Sequence, residues 1–136
     1  MSESGQALVE TALFSVMVIL LGLGMATLIP IHRARTAATA AALSCAQFIA
    51  QSPNPAWAAY QAEQVAWRTL DARWSGAAGA EYQVQVLPPA GPGAAGGCAV
   101  LFKPYLPFGT LLGLGQPQWG MRSFVSLSES WKARWR

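Results

Sequence analysis

Thr11–Ile31 reads TALFSVMVILLGLGMATLIPI, and no Asp, Glu, Lys or Arg stands between Glu10 and Arg33. A bilayer core about 30 Å thick needs roughly 20 apolar residues of helix to cross it. Inside hydrocarbon the backbone must satisfy its own hydrogen bonds, so a lone span has to be helical. Val16, Val18, Ile19 and Thr27 are β-branched, which weakens a helix in water, but lipid overrides that preference. The stretch therefore predicts one transmembrane helix and divides the chain into an N-terminal anchor and a longer C-terminal part. Gly22 and Ala26 are four apart, a small-xxx-small pair that lets a second helix approach. The competing explanation is that membrane helices are simply richer in glycine. Pro30 removes a backbone donor near the far end and predicts a kink there.

Composition narrows the class. The chain has 136 residues, 53% of them hydrophobic and only 11% charged, with a net charge of +3. Soluble domains carry about 25% charged residues, and disordered chains are less apolar than this one. The length excludes a barrel enzyme or a two-domain dinucleotide enzyme.

Before the span stands Ser4-Gly5-Gln6-Ala7-Leu8-Val9-Glu10-Thr11-Ala12. A carboxylate at the edge of an apolar helix either sits at headgroup level or has a partner. The segment resembles the prepilin-peptidase site of type IV pilin-like proteins: a leader ending in Gly, four apolar or small residues, Glu, then a hydrophobic helix. GQALVETAL is most similar to the TadE-like pseudopilins of tight-adherence (Flp) pilus systems. The resemblance is specific over residues 5–12, moderate to about 51 and weak beyond. It implies cleavage between Gly5 and Gln6, which would free an α-amine on Gln6. It also implies that Glu10 pairs with that amine on a neighbouring subunit. A buried unpaired charge is costly and a satisfied pair is tolerable, so the pair would select the register between packed helices. The leader Met1–Gly5 departs from the pattern in carrying no basic residue. Arg33 and Arg35 come after the span, where the positive-inside bias would place them in the cytoplasm. The pilin resemblance places them outside, and the motif is given precedence over two arginines.

Beyond the span, Thr36–Gln51 is rich in alanine, the best helix former. Ala41, Cys45, Phe48 and Ile49 share one helical face. The membrane helix is therefore expected to continue to Gln51 as a stalk, 44 residues from Leu8 and about 66 Å long. Ser52-Pro53-Asn54-Pro55 ends it, with Asn54 as an N-cap for a second helix over 55–74. Tyr60, Trp67, Leu70 and Trp74 form a stripe expected to face the core, with Trp57 near its start. Glu63, Arg68, Asp71 and Arg73 are expected at the surface. Gly76 and Gly79 interrupt the chain. Tyr82–Val86 alternates with period two and predicts a strand with one wet face. Pro88–Gly97 reads as a loop with little to pack. Cys98–Phe102 is a second strand, Pro107–Gly115 a partly covered apolar loop, and Met121–Ser128 a third strand.

The expected fold class is α+β: a long N-terminal transmembrane and stalk helix, a second helix, and an antiparallel sheet of about three strands. The expected organisation is a leader over 1–5, a transmembrane and stalk helix over 6–51, and a small extracytoplasmic head over 52–136. A head of that size is marginal alone and leans on staples or partners. Five of the six tryptophans lie between Trp57 and Trp131, so burial is expected to concentrate there. Cys45 and Cys98, both beyond the span, are expected to form a disulfide if the pilin orientation puts them on the oxidising side. Two separate buried thiols are the alternative.

Catalytic chemistry has little to work with. His32 is the only histidine and Asp71 the only aspartate, and no Ser-His-Asp set is convincing. His32, Cys45 and Cys98 lack the close spacing of a zinc site. Gly113-Leu114-Gly115 lacks the rest of a phosphate loop. The basic aromatic tail Trp131–Arg136 has three basic residues, few for nucleic-acid affinity. No cofactor, metal or small-molecule substrate is expected. The expected partners are membrane lipid, other pilins or pseudopilins, and a prepilin peptidase. The leading expectation is a non-enzymatic minor pseudopilin in the inner membrane, single-pass with its head outside. A membrane-anchored envelope binding domain that is never processed, and a secreted ligand-binding domain released after Gly24, remain the alternatives.

Overall fold

The computed structural model describes residues 3–52, 54–74, 80–90, 94–106, 108–109, 113, 115 and 118–127. The element order is α1 (Glu3–Gln51), α2 (Pro55–Trp74), β1 (Ala80–Leu87), β2 (Ala95–Pro104) and β3 (Gly120–Leu127). The α+β class and its three-stranded antiparallel sheet are as the sequence predicts. The Gly76 and Gly79 break, Ser128, the tail Trp131–Arg136 and the side chains of Arg73 and Trp74 lie outside the described residues.

The 49 residues of α1 span about 74 Å at 1.5 Å per residue. Helix continues through Pro30. Asn54 caps α2 as expected: its Oδ1 accepts from the Trp57 N–H at 3.4 Å, and its carbonyl accepts the first helical bond from Ala58 N–H at 2.9 Å. The short connection turns α2 back onto α1, where the Phe48 and Trp57 rings meet at 5.9 Å.

The sheet order is β1-β2-β3, so β2 is central and pairs on both edges. Its register sets Tyr82 opposite Phe102 and Phe102 opposite Gly120, then Val86 opposite Cys98 and Cys98 opposite Phe124. Because side chains alternate along a strand, these residues share the face turned to the helices. β1 shows the expected period of two, with Tyr82, Val84 and Val86 partly buried and packed against the core. On the other face Lys103, half-buried, meets exposed Glu81 at 3.9 Å, a surface pair of small energetic weight.

The core is built on alanine. Ala34, Ala37, Ala38, Ala41, Ala42, Cys45 and Ile49 of α1 pack with Ala62, Ala66 and Leu70 of α2 and with Cys98, Val100 and Phe102 of β2. Ala58, Ala62, Ala66 and Leu70 recur every four residues and are all buried. Such a ridge brings two helix backbones close, and the approach is tight enough for Ser44 and Thr69 hydroxyls to hydrogen-bond at 3.0 Å.

The aromatic stripe on α2 does not face the core as the sequence predicts. Tyr60 is 64% exposed and Trp67 38%, while Leu70 alone of the described stripe is buried. Alanines hold the inward positions because a tryptophan there would push α2 away from α1. Burial does not concentrate at the described tryptophans either: Trp57 and Trp119 are also exposed. Glu63, Arg68 and Asp71 are exposed as expected.

β2 starts three residues earlier than predicted, running through Gly96 and Gly97. The preceding segment also packs, since Pro89 is buried. A Cβ on Gly96 would lie 2.9 Å from Pro89 Cδ and 3.0 Å from Ile49 Cγ2. Glycine is needed there for the close approach of strand, loop and helix, which explains why the glycines read as loop from sequence. Gly120 plays a similar part, as a Cβ there would meet the Phe102 ring at 2.7 Å. Within Pro107–Gly115, Gly109 is buried, Phe108 is part-exposed, and Gly109 N–H donates to the Leu106 carbonyl at 3.1 Å.

Candidate functional site

The first thirty residues of α1 differ from everything else in the molecule. Leu8, Leu13, Phe14, Met17, Ile19, Leu20, Leu21, Met25 and Leu28 are each more than half exposed. They occupy every side of the helix rather than one stripe, which is the pattern of a helix surrounded by apolar solvent. α1 is the one described helix long and apolar enough to cross a membrane.

Polar groups inside this segment are satisfied by the helix itself. Thr11 Oγ1 donates to the Ala7 carbonyl, Ser15 Oγ to Ala12 and Thr27 Oγ1 to Gly24, each at 2.8 Å. These back-bonds hide hydroxyl donors that would otherwise be unpaired in hydrocarbon.

Gly5, Gln6 and Glu10 lie together on the first turns of α1, Gln6 and Glu10 being exposed. Gln6 Nε2 donates to Glu10 Oε1 at 3.3 Å, a contact the i, i+4 spacing allows. The carboxylate is exposed. Gly22 is exposed with nothing within 4 Å of where a Cβ would be, and Ala26 is half-buried. The pair has room for another helix against Gly22.

At the other end of α1, Cys45 and Cys98 form a disulfide with Cα atoms 6.0 Å apart, inside the usual range. The bond joins the stalk helix to the central strand. Both cysteines are buried. Burial raises the Tyr82 hydroxyl from 10.0 to about 12, because the phenolate would be poorly solvated beside the core.

The structure does not gather His32, Asp71 or the cysteines into a chemical site. His32, Arg33 and Arg35 are exposed on α1, and no group of three His, Cys, Asp or Glu that could hold a metal occurs among the described residues. The alanine ridge is the feature that the sequence conceals. Its spacing of four is visible, but alanine is common in any helix and carries no distinguishing signal.

The fold and this helix define a class: a small α+β head built around the upper part of a helix whose lower part is bare and apolar. No family model, curated protein or solved structure matches the chain.

Proposed function

We propose that this chain is a pilin-like assembly subunit of the TadE-like, tight-adherence type, anchored in the inner membrane by Thr11–Ile31 with its head on the outer side. The observation that carries the reading is the sequence Gly5-Gln6-Ala7-Leu8-Val9-Glu10 at the start of a single helix that is bare of protein below and embedded in the head above. A subunit of this shape packs into a filament through its lower helix and displays its head. The Cys45–Cys98 bond suits the oxidising side of the membrane.

Two residues would do the work. Gly5 precedes the scissile bond; lacking a side chain, it leaves the helix at little cost and fits a narrow peptidase subsite. Glu10, bonded here to the exposed Gln6 amide, would accept the α-amine that cleavage creates on Gln6 of an adjacent subunit. Gly22 and Ala26 would line the contact between neighbouring helices. Membrane lipid, other pilins and a prepilin peptidase are the partners this requires.

Co-expression with a prepilin peptidase, followed by N-terminal sequencing, tests the reading. Gln6 is the expected first residue, and Gly5→Val is expected to leave the leader attached. Met1 or Ser2 at the start of the wild-type chain would assign an unprocessed anchor, and Met25 a secreted domain. Glu10→Gln is expected to insert normally and to lose incorporation into filaments.

A further inference from the structure

The head is aligned along α1 in a direction that two contacts fix. Gly96 lies against Ile49, and Cys98 is bonded to Cys45. Two residues forward on β2 thus correspond to four residues back on α1. Both steps cover about 6 Å, at 3.3 Å per strand residue and 1.5 Å per helix residue. β2 therefore runs down the helix, towards the span. From Cys98 to Tyr105 the strand and its continuation descend about 23 Å. From Cys45 to Ile31 the helix descends about 21 Å. The end of β2 arrives level with the end of the apolar run.

Exposed aromatic side chains stand at and just above that level, beyond the Lys103–Glu81 pair. Tyr105 is 61% exposed, Phe108 39% and Trp119 43%. Trp119 immediately precedes Gly120, which pairs with Phe102, so it comes opposite Lys103, about 7 Å above Tyr105 and level with Arg33 and Arg35. Just above, His32, Arg33 and Arg35 are exposed on α1. Tyrosine and tryptophan concentrate where a membrane meets water, and basic side chains sit among the headgroups.

A second observation is independent of strand geometry. Thr27 is only 4% exposed although it lies within the apolar run. Neighbours on the same helix do not cover a side chain so fully, so part of the head stands beside the span. Thr27 is four residues below Ile31, about 6 Å deeper.

We propose that Tyr105, Phe108 and Trp119 form a second membrane contact and enter the headgroup and upper acyl region of the bilayer that α1 crosses. The inference rests on the reading of Thr11–Ile31 as a membrane span. The head then sits on the membrane rather than above it. Its depth is limited by the basic residues of α1, which stop at the headgroups because a charge in hydrocarbon is costly. The occupant of this aromatic surface is phospholipid.

Nitroxide labels on single introduced cysteines measure the depth. Leu20→Cys, Tyr105→Cys, Phe108→Cys and Gln83→Cys are made in the full chain with the native disulfide kept. Each is labelled without reductant and reconstituted in phosphatidylcholine–phosphatidylglycerol vesicles. Power saturation compares collision with oxygen, which enters lipid, against a water-soluble nickel chelate. Labels at Tyr105 and Phe108 are expected to show an oxygen-to-nickel ratio several-fold above that at Gln83, an exposed position on β1. A ratio at Tyr105 and Phe108 equal to that at Gln83, with Leu20 still shielded from nickel, overturns the second contact and leaves the span intact. Nickel access at Leu20 overturns the span and the inference together. Should Phe108→Cys misfold, as tryptic mapping of the Cys45–Cys98 peptide would reveal, the exposed Tyr105 decides alone.

Discussion

The two halves of α1 are built from different residues for different surroundings. Between Leu8 and Ile29 the large apolar side chains stand exposed and Thr27 is buried; between Ala34 and Ile49 the inward positions are mostly alanine and fully buried. The helix is continuous from one to the other. Where no part of the protein presses on the helix, side-chain size is harmless. Where α2 and β2 press against it, each extra methylene would have to displace a backbone. Hydrophobicity alone would rank the lower half as the better core, and the structure places the core in the upper half. What separates them is side-chain volume.

Breaking the covalent bond of the upper half should have the largest effect. Cys45 and Cys98 are 53 residues apart, and closing a loop of that length stabilises by about 4 kcal/mol in the chain-entropy picture. Reduction, or Cys45→Ala with Cys98→Ala, is expected to lower the stability of the head by about that amount. Urea titration in detergent, followed by tryptophan fluorescence, measures it. An unchanged midpoint would mean that the alanine packing holds the head without the bond.

Volume is tested directly by Ala62→Leu. The buried ridge has no space for the added carbons, and overpacking is expected to cost about 1–3 kcal/mol. Gly96→Ala belongs to the same class, since its Cβ would crowd Pro89 and Ile49 inside van der Waals contact. Leu20→Ala, a larger change in apolar area, is expected to alter head stability by less than about 0.5 kcal/mol because the side chain stands exposed on the lower half of α1. Equal effects from Ala62→Leu and Leu20→Ala in the same titration would erase the contrast between the halves.

The smallest effect concerns pH. The Tyr82 hydroxyl is raised from 10.0 to about 12 in the folded chain. A raised value means that the folded state holds its proton more tightly than the unfolded one, so this contribution is complete below pH 10 and is lost as pH climbs towards 12. Tyr82→Phe should flatten the fall in stability between pH 10 and 12, read as the thermal midpoint at each pH. An identical fall in the variant would assign the alkaline loss to other groups.

Much of this arrangement is legible in the sequence. The long apolar helix, the N-cap at Asn54, the alternation in β1 and the pairing of the two cysteines each rest on a strong local signal. Charge is absent from Thr11–Ile31, Asn precedes Pro55, and Cys45 and Cys98 are the only cysteines. The α2 core face is not legible because two rules conflict there. Aromatic residues have the largest apolar area and are expected inside, yet a close helix pair admits only small side chains. Which rule prevails depends on the distance to α1, and no residue of α2 states that distance. The early start of β2 is hidden likewise: Gly96 reads as a loop until the crowding of Ile49 and Pro89 is seen. Of the candidate site, the spacing of Gly5 and Glu10 is legible, while the level at which Tyr105 and Trp119 lie depends on pairing across the sheet.

The bond between Cys45 and Cys98 also has a mechanical meaning. If α1 is held in a membrane or filament and the far end of the chain is pulled, tension passes from α1 into β2 across the two sulfurs. α2 and β1 lie within the bridged segment and feel none of it. As long as the bond is intact, a pulled head cannot lengthen by the roughly 180 Å of chain those residues would release if extended. Reduction would open that length at once, so the redox state of one sulfur pair sets how far the molecule can stretch before it lets go.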